Sequence, residues 1–229
     1  MPYSEIEARF SKLGGKFLTP VDVLAARLRS IRGIVSDWDG VFNDGAKGDG
    51  TSSTYSEADS MGTNLLRYGL YRARDKQMPV AALITGVDNP TARSFAGREH
   101  FHAVYFGAKN KTAAIQALCA EHSLSSEQLL CLFDDLNDLG MAFGCGIHVL
   151  VKRDASPLLA DYVARSDLCD YITGHGPDGH AVREVCELLL GLLGAFDDVV
   201  ASRVAWDADF AAYFAAREAV VPKIVDWRK

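Results

Sequence analysis

Short apolar runs, each closed by polar or glycine-rich turns, alternate with stretches whose apolar residues recur every three or four positions. The runs are Ile34-Val35-Ser36, Pro79-Val80-Ala81-Ala82-Leu83-Ile84, Ala103-Val104-Tyr105-Phe106 and Leu129-Leu130-Cys131-Leu132-Phe133, with shorter ones at 147–151 and 170–173. They do not alternate with polar residues, which is what a strand buried on both faces requires. Helical spacing occupies residues 3–13, ended by Gly14-Gly15, and then Leu24, Leu28 and Ile31. For this second helix Thr19 is the expected cap and Pro20 the first-turn residue. Residues 61–76 carry Leu65, Leu66 and Leu70 at helical spacing, weakened by Gly69. Asn89-Pro90 opens a helix to about Gly97, Lys111 stands near the start of one carrying Ile115 and Leu118, and Ser125 caps a single turn. A Gly-rich turn at 174–179 leads into a helix at about 181–193. Val200, Val204, Phe210, Tyr213 and Phe214 mark a tail helix, packing on this molecule or a neighbour. Residues 42–55, rich in Gly, Asp, Ser and Thr, predict turns or a hairpin beyond the first strand. Strands alternating with helices imply an α/β fold, a mostly parallel sheet covered on both faces.

Charge and cysteine usage narrow the classes. A net charge of −6 excludes the basic face that nonspecific nucleic-acid binding needs. Any phosphate site must therefore be made locally. The five cysteines (Cys119, Cys131, Cys145, Cys169, Cys186) are odd in number and show no CxxC spacing. They read as reduced packing thiols of a cytoplasmic protein, not as a disulfide framework or zinc site. The six histidines form no metal-binding pattern. Residues 1–15 are too polar for a signal peptide, and no apolar run is long enough to cross a membrane.

Three strand ends carry chemistry: Asp37 and Asp39 after the first, Thr85-Gly86 after the second, and Asp134, Asp135 and Asp138 after the fourth. A parallel sheet gathers these ends along one edge, where ligands bind in open α/β folds. Asp37 and Asp39 are close enough to repel and call for a cation, a shared proton or solvent. Alone, Asp-Trp-Asp-Gly would be an ordinary turn. Together with Thr85 and Lys111, the carboxylates match a Mg²⁺-dependent phosphoryl-transfer site, since Mg²⁺ takes oxygen ligands. Lys109 rivals Lys111, and Asp44, Asp49 and Asp59 are expected to be turn or solvent residues.

The ordered segments Asp37-Trp38-Asp39-Gly40-Val41-Phe42-Asn43-Asp44-Gly45, Ala82-Leu83-Ile84-Thr85-Gly86, Asn110-Lys111 and Asp134-Asp135-Leu136-Asn137-Asp138 resemble the haloacid dehalogenase superfamily of phosphatases. Within it they are most similar to the capless branch that includes 3-deoxy-D-manno-octulosonate 8-phosphate phosphatase, whose C-terminal signature resembles residues 179–187. The resemblance implies a Rossmann-like three-layer sandwich over 31–193, with a helical extension at 1–30 and a helical tail at 194–229. It implies Asp37 as nucleophile, Asp39 as acid and base, and Lys111 as the charge-neutralising cation. Thr85 and the Gly86 amide would bind phosphate. Mg²⁺ would lie at Asp37, the Asp39 carbonyl and Asp134, with Asp138 in the metal site by orienting Lys111 or metal-bound water. His180 and Arg183 would face the substrate, a small phosphorylated sugar acid of octulosonate or nonulosonate type; for both, a plain surface role stays open.

Three residues depart from the branch: Phe133 stands where Gly is usual and is expected to crowd the strand end, Val87 replaces a polar residue, and His180 replaces Gly. The spans 45–79 and 86–111 are too short for the cap domain usual in the superfamily, so the site is expected to be open unless another subunit covers it. The branch forms tetramers, which implies a homotetramer here, contacting through residues 42–55 or 197–227. A noncatalytic module binding Mg²⁺ and phosphate uses similar residues in a different order. Here the lysine precedes the second acidic group, and Asp39 supplies the acid and base of turnover, so the order favours an enzyme.

Overall fold

The structure is a computed structural model and describes residues 1–48, 50 and 53–228; Asp49 lies outside these. In chain order the elements are α1 (Tyr3–Lys12), β1 (Lys16–Phe17), α2 (Val21–Leu28), β2 (Gly33–Ser36), α3 (Glu57–Arg72), β3 (Val80–Thr85), α4 (Pro90–Arg98), β4 (Ala103–Phe106), α5 (Lys111–His122), β5 (Leu129–Phe133), α6 (Leu139–Ala142), β6 (Ile147–Leu150), α7 (Pro157–Arg165), β7 (Tyr171–Ile172), α8 (Ala181–Leu192), α9 (Phe196–Ala205), α10 (Ala208–Glu218) and β8 (Lys223–Asp226).

The strands form one sheet in the order β1-β7-β6-β5-β2-β3-β4-β8. All neighbours pair in parallel except β1 with β7. From β2 the chain winds outward through β3 and β4, then crosses back to lay β5 on the opposite flank of β2. This reversal opens a crevice at the carboxyl ends of β2 and β5, the usual ligand position in such sheets. Both faces are covered, as the unbroken apolar runs predict, yet successive side chains still divide between the faces. Ile34, Leu83, Leu130 and Leu132 join one core with α2, α3 and α8. Val35, Ile84, Cys131 and Phe133 join the other with α5, α6 and α7. Phe133 is therefore a core residue and does not line the crevice. All five cysteines are buried and unbridged.

Asn89 caps α4 by accepting from the Thr91 (3.0 Å) and Ala92 (3.4 Å) amides, and Asn110 caps α5 by accepting from Ala113 (3.2 Å). These two caps fix where the loops after β3 and β4 hand over to helix. Gly69 costs α3 intrinsic helicity, but a β-carbon there would lie 2.4 Å from Leu190 of α8. Close packing of α3 on α8 outweighs the propensity penalty of about 1 kcal/mol.

Several expectations differ from the structure. Among the described residues no strand forms between β2 and β3, so the expected hairpin is replaced by a loop. That loop is pinned by aromatics instead of a ladder: Trp38 packs on Phe42, Tyr55 and Phe95, and its indole N–H donates to Ser53 Oγ at 2.8 Å. Thr19 does not cap α2; its hydroxyl donates to buried Asp170 at 2.6 Å. The single tail helix is two, α9 and α10, because Trp206 takes a left-handed conformation between them. Both pack on α3 of the same chain, with Tyr68 hydrogen-bonded to Ser202 at 2.5 Å, edge-on to Phe210 and tilted against Tyr213. Residues 1–30 add Ile6, Leu24 and Leu28 to the first core and β1 to the common sheet. Among the described residues no helix is long and apolar enough to cross a membrane.

Candidate active site

Asp37 and Asp39 leave β2 on one side while the intervening Trp38 turns into the aromatic core, as the two-residue period of extended chain requires. Gly40 completes the turn at φ +94°, and a β-carbon there would lie 2.0 Å from Asp134. Glycine is needed twice over, for its conformation and for the close approach of the β2 and β5 loops. The two acidic segments thus meet across the crevice.

Lys111 is the first residue of α5, set by the Asn110 cap. Its ammonium lies 2.7 Å from Asp37 Oδ1 and 2.6 Å from Asp138 Oδ1. Asp138 in turn accepts from the Asp134 (3.3 Å) and Asp135 (3.2 Å) amides, which ties the loop after β5 to the lysine. Asp37, Asp134 and Asp138 each offer an oxygen, all within 4.8 Å of one another. Thr85 is buried at the end of β3, beside exposed Gly86 and Val87. Asp39 faces Lys47 at 2.5 Å and the Asn89 amide at 3.4 Å. These groups line an open cleft of about 630 Å³.

Burial pushes the Asp37 carboxyl up to about 7; Lys111 partly opposes this and Asp138 adds to it. Burial also pushes Asp134 up to about 7, reinforced by Asp138 and Asp37 and opposed by Arg153. Burial works against the Lys111 ammonium, but Asp37 and Asp138 outweigh it and leave its pKa raised. Lys111 grips two of the three buried carboxylates and the partly exposed Arg153 the third, so the cluster is short of positive charge. Asp134 Oδ1 is buried with no hydrogen-bond partner, and six carboxylates face four cationic side chains around the cleft. An all-oxygen donor set with an orphaned carboxylate oxygen fits a hard divalent cation.

Of the residues singled out from the sequence, Asp37, Asp39, Thr85, Gly86, Lys111, Asp134 and Asp138 all line this cleft. Lys109 lines it too, but Lys111 is the lysine paired with Asp37. His180 and Arg183 do not line it. His180 borders a separate pocket of about 270 Å³ with Asp44, Tyr55 and Asp59, and Arg183 pairs with Glu187 at 2.7 Å. Asp59 is no solvent residue: it is 1% exposed. Its carboxylate accepts from Ser56 Oγ (2.7 Å) and from the Arg183 amide (2.9 Å), and lies 3.4 Å from His180 Nδ1. It satisfies a free amide at the start of α8, where a carboxylate is favoured. Arg153, absent from the sequence expectations, follows β6 and pairs its guanidinium with Asp134. Its signal was position alone, since the end of β6 lies on the same sheet edge.

No protein-family model matches the chain. It is 32% identical over 195 residues to 3-deoxy-D-manno-octulosonate 8-phosphate phosphatase KdsC of Escherichia coli K12, covering 82% of this chain and 96% of that one. The crystal structure of 3-deoxy-D-manno-octulosonate 8-phosphate phosphatase from Yersinia pestis superposes with a TM-score of 0.64 at 27% identity, covering 77% of this chain and 89% of that one. The Moraxella catarrhalis enzyme of the same name, in complex with a magnesium ion, a phosphate ion and a KDO molecule, superposes with a TM-score of 0.65. It is 24% identical and covers 78% of this chain and 97% of that one.

Proposed function

The chain belongs to the haloacid dehalogenase superfamily, among the phosphatases related to KdsC, and from that premise we propose that it is a Mg²⁺-dependent phosphomonoesterase for a small phosphorylated sugar acid. One observation supports this above all: Lys111 is locked between Asp37 and Asp138, with Asp134 alongside, at the sheet's switch point.

Asp37 attacks phosphorus in line, and its carboxylate oxygen takes the phosphoryl group as an aspartyl-phosphate. Asp39, on the rim of the same loop, protonates the leaving oxygen and then takes a proton from the water that opens the intermediate. Thr85 and the Gly86 amide hold phosphate oxygens, while Lys111 balances the charge that builds on them and on Asp37. Asp138 keeps Lys111 in place, and Arg153 orients Asp134. Asp37, the Asp39 carbonyl and Asp134 would hold Mg²⁺, which supplies Lewis-acid charge stabilisation and aligns the phosphoryl group.

The substrate class is inferred from the relatives' names and from the open cleft, which has room for more than a phosphate. His180 and Arg183 do not line their own chain's cleft, although the pocket at His180 shares Asp44 with it; in the tetramer the resemblance implies, they would instead face a sugar acid bound by a neighbouring subunit. A phosphate-release screen over sugar phosphates tests the assignment. Sugar acid phosphates are expected to lead; neutral hexose or nucleoside phosphates ahead of every sugar acid would overturn the substrate class. Light scattering that gave a monomer at micromolar concentration would overturn the oligomer.

A further inference from the structure

Beyond Arg153 the catalytic cleft gives onto a second cavity of about 340 Å³, lined by Lys16, Lys152, Thr173 and Leu159 and sharing Asp134 and Arg153 with the cleft. We infer that this cavity is an anion-binding subsite, in which Lys16, Lys152 and Arg153 receive a carboxylate carried by the substrate's leaving group. The inference rests on the phosphatase reading above and adds a location for the acid end of the substrate.

Charge carries the argument. The protein is acidic overall, yet three cationic side chains converge on this cavity beside the most acidic edge of the sheet. Two carboxylates face them. Asp154 is 85% exposed and pairs with Lys152 at 3.1 Å, a solvent-screened contact that contributes little. Asp134 is the carboxylate that a divalent cation in the cleft would claim. Lys16 forms no ion pair with any described residue. Positive charge therefore remains for a ligand once the catalytic cation is in place.

Lys16 is held there by structure, not by surface chance. It sits on β1, whose register with β7 places Lys16 opposite Ile172. The segment following β1 is anchored through Asp170: the Leu18 amide donates to its carbonyl at 2.9 Å, and Thr19 and Arg27 bond its carboxylate at 2.6 and 2.8 Å. A two-residue antiparallel strand at the sheet edge adds little stability by itself. It does bring a lysine to the cavity wall. Thr173 adds a fixed polar wall, because its hydroxyl accepts from the Lys152 amide (2.9 Å) and donates to the His175 carbonyl (2.7 Å).

Lys16→Ala, Lys152→Ala and the double variant test the subsite without altering the catalytic groups. Steady-state kinetics would compare a sugar acid phosphate, a neutral sugar phosphate of equal length and p-nitrophenyl phosphate. The double variant is expected to raise KM for the acid about tenfold, the worth of one charge-assisted hydrogen bond. Its kcat for the acid should hold, and both parameters for the other two substrates should be unchanged. Calorimetry with the free sugar acid and Mg²⁺ reads the same subsite without turnover, and the double variant should weaken that binding about tenfold. A wild-type preference for the acid that survives both substitutions, with unchanged calorimetric affinity, overturns the subsite and leaves the phosphatase reading standing. Loss of p-nitrophenyl phosphate turnover from the wild type would overturn that reading instead, and calorimetry would still decide the subsite.

Discussion

Two cations enter the acidic cluster from opposite flanks, and they are held very differently. On the β4–α5 flank, the Lys111 side chain is 3% exposed and grips two carboxylates. On the β6–α7 flank, the Arg153 side chain is 40% exposed and grips one. The first is fixed by a helix cap and by burial; the second hangs from a loop at the mouth of a further cavity. Removing one partner of a buried pair costs about 3–5 kcal/mol, whereas a half-exposed pair is screened and worth much less. The buried flank is thus built for invariant chemistry on phosphate. The exposed flank is free to change partner when a cation or a substrate arrives.

Of the two flanks, the buried one carries the larger expected effect. Lys111→Met should cut kcat on p-nitrophenyl phosphate by about 10²–10³, the usual cost of losing a preorganised charge-stabilising group. A variant with more than a tenth of wild-type turnover would contradict the role given to the lysine. Asp39→Asn tests the acid and base separately, with an expected loss of about 10²–10⁴. Read in kcat/KM, which ends at the aspartyl-phosphate, that loss should shrink for p-nitrophenyl phosphate, whose leaving group needs little protonation; equal kcat/KM losses on all substrates would argue against Asp39 as the acid.

On the exposed flank, Arg153→Gln should change kcat by less than about tenfold, since the pair is partly solvated. If it matched Lys111→Met, the contrast between the flanks would be wrong.

The raised carboxyls give a pH test. With Asp37 and Asp134 held up to about 7, protons bind the folded, metal-free chain more tightly than the unfolded one. The stability this contributes is present below the ordinary carboxylate range and is lost as pH rises through about 7. Mg²⁺ competes with those protons, so the rise in Tm on adding Mg²⁺ should grow between about pH 5 and about pH 8. A rise that stays flat, or shrinks with pH, would contradict a cation at these carboxylates.

The smallest effect is expected at α8. His180→Ala should leave p-nitrophenyl phosphate turnover within about twofold, as for substitutions away from a site.

The centre of the sheet could be read from the chain because its strands are apolar and continuous, and their ends are punctuated by Asp, Thr-Gly and Asp-Asp. The helix starts at Asn89-Pro90 and near Lys111 were readable for the same local reason, whereas the Asn110 cap emerges from the structure. What escaped depends on partners distant in sequence. β1 is two residues long, and β8 has mostly exposed side chains, so neither carries a periodic signal; each exists because a sheet edge was available. α7 is only nine residues long and lies between two short strands. Asp59 sits in a polar run that looks like a solvated first turn, while the amide it satisfies belongs to Arg183, 124 residues on. Arg153 lies in the charged run Lys152-Arg153-Asp154, ordinary as a surface loop until β6 brings it to Asp134.

The central claim is that Asp37 is the group that accepts the phosphoryl group. Hydrolysis of p-nitrophenyl phosphate by wild-type and Asp37→Asn protein, each with Mg²⁺ and after EDTA, tests it most directly, with circular dichroism to confirm folding. The account predicts turnover for wild type with Mg²⁺ alone, and none in the other three samples. Folded Asp37→Asn protein that hydrolysed the substrate at near wild-type rate would contradict it.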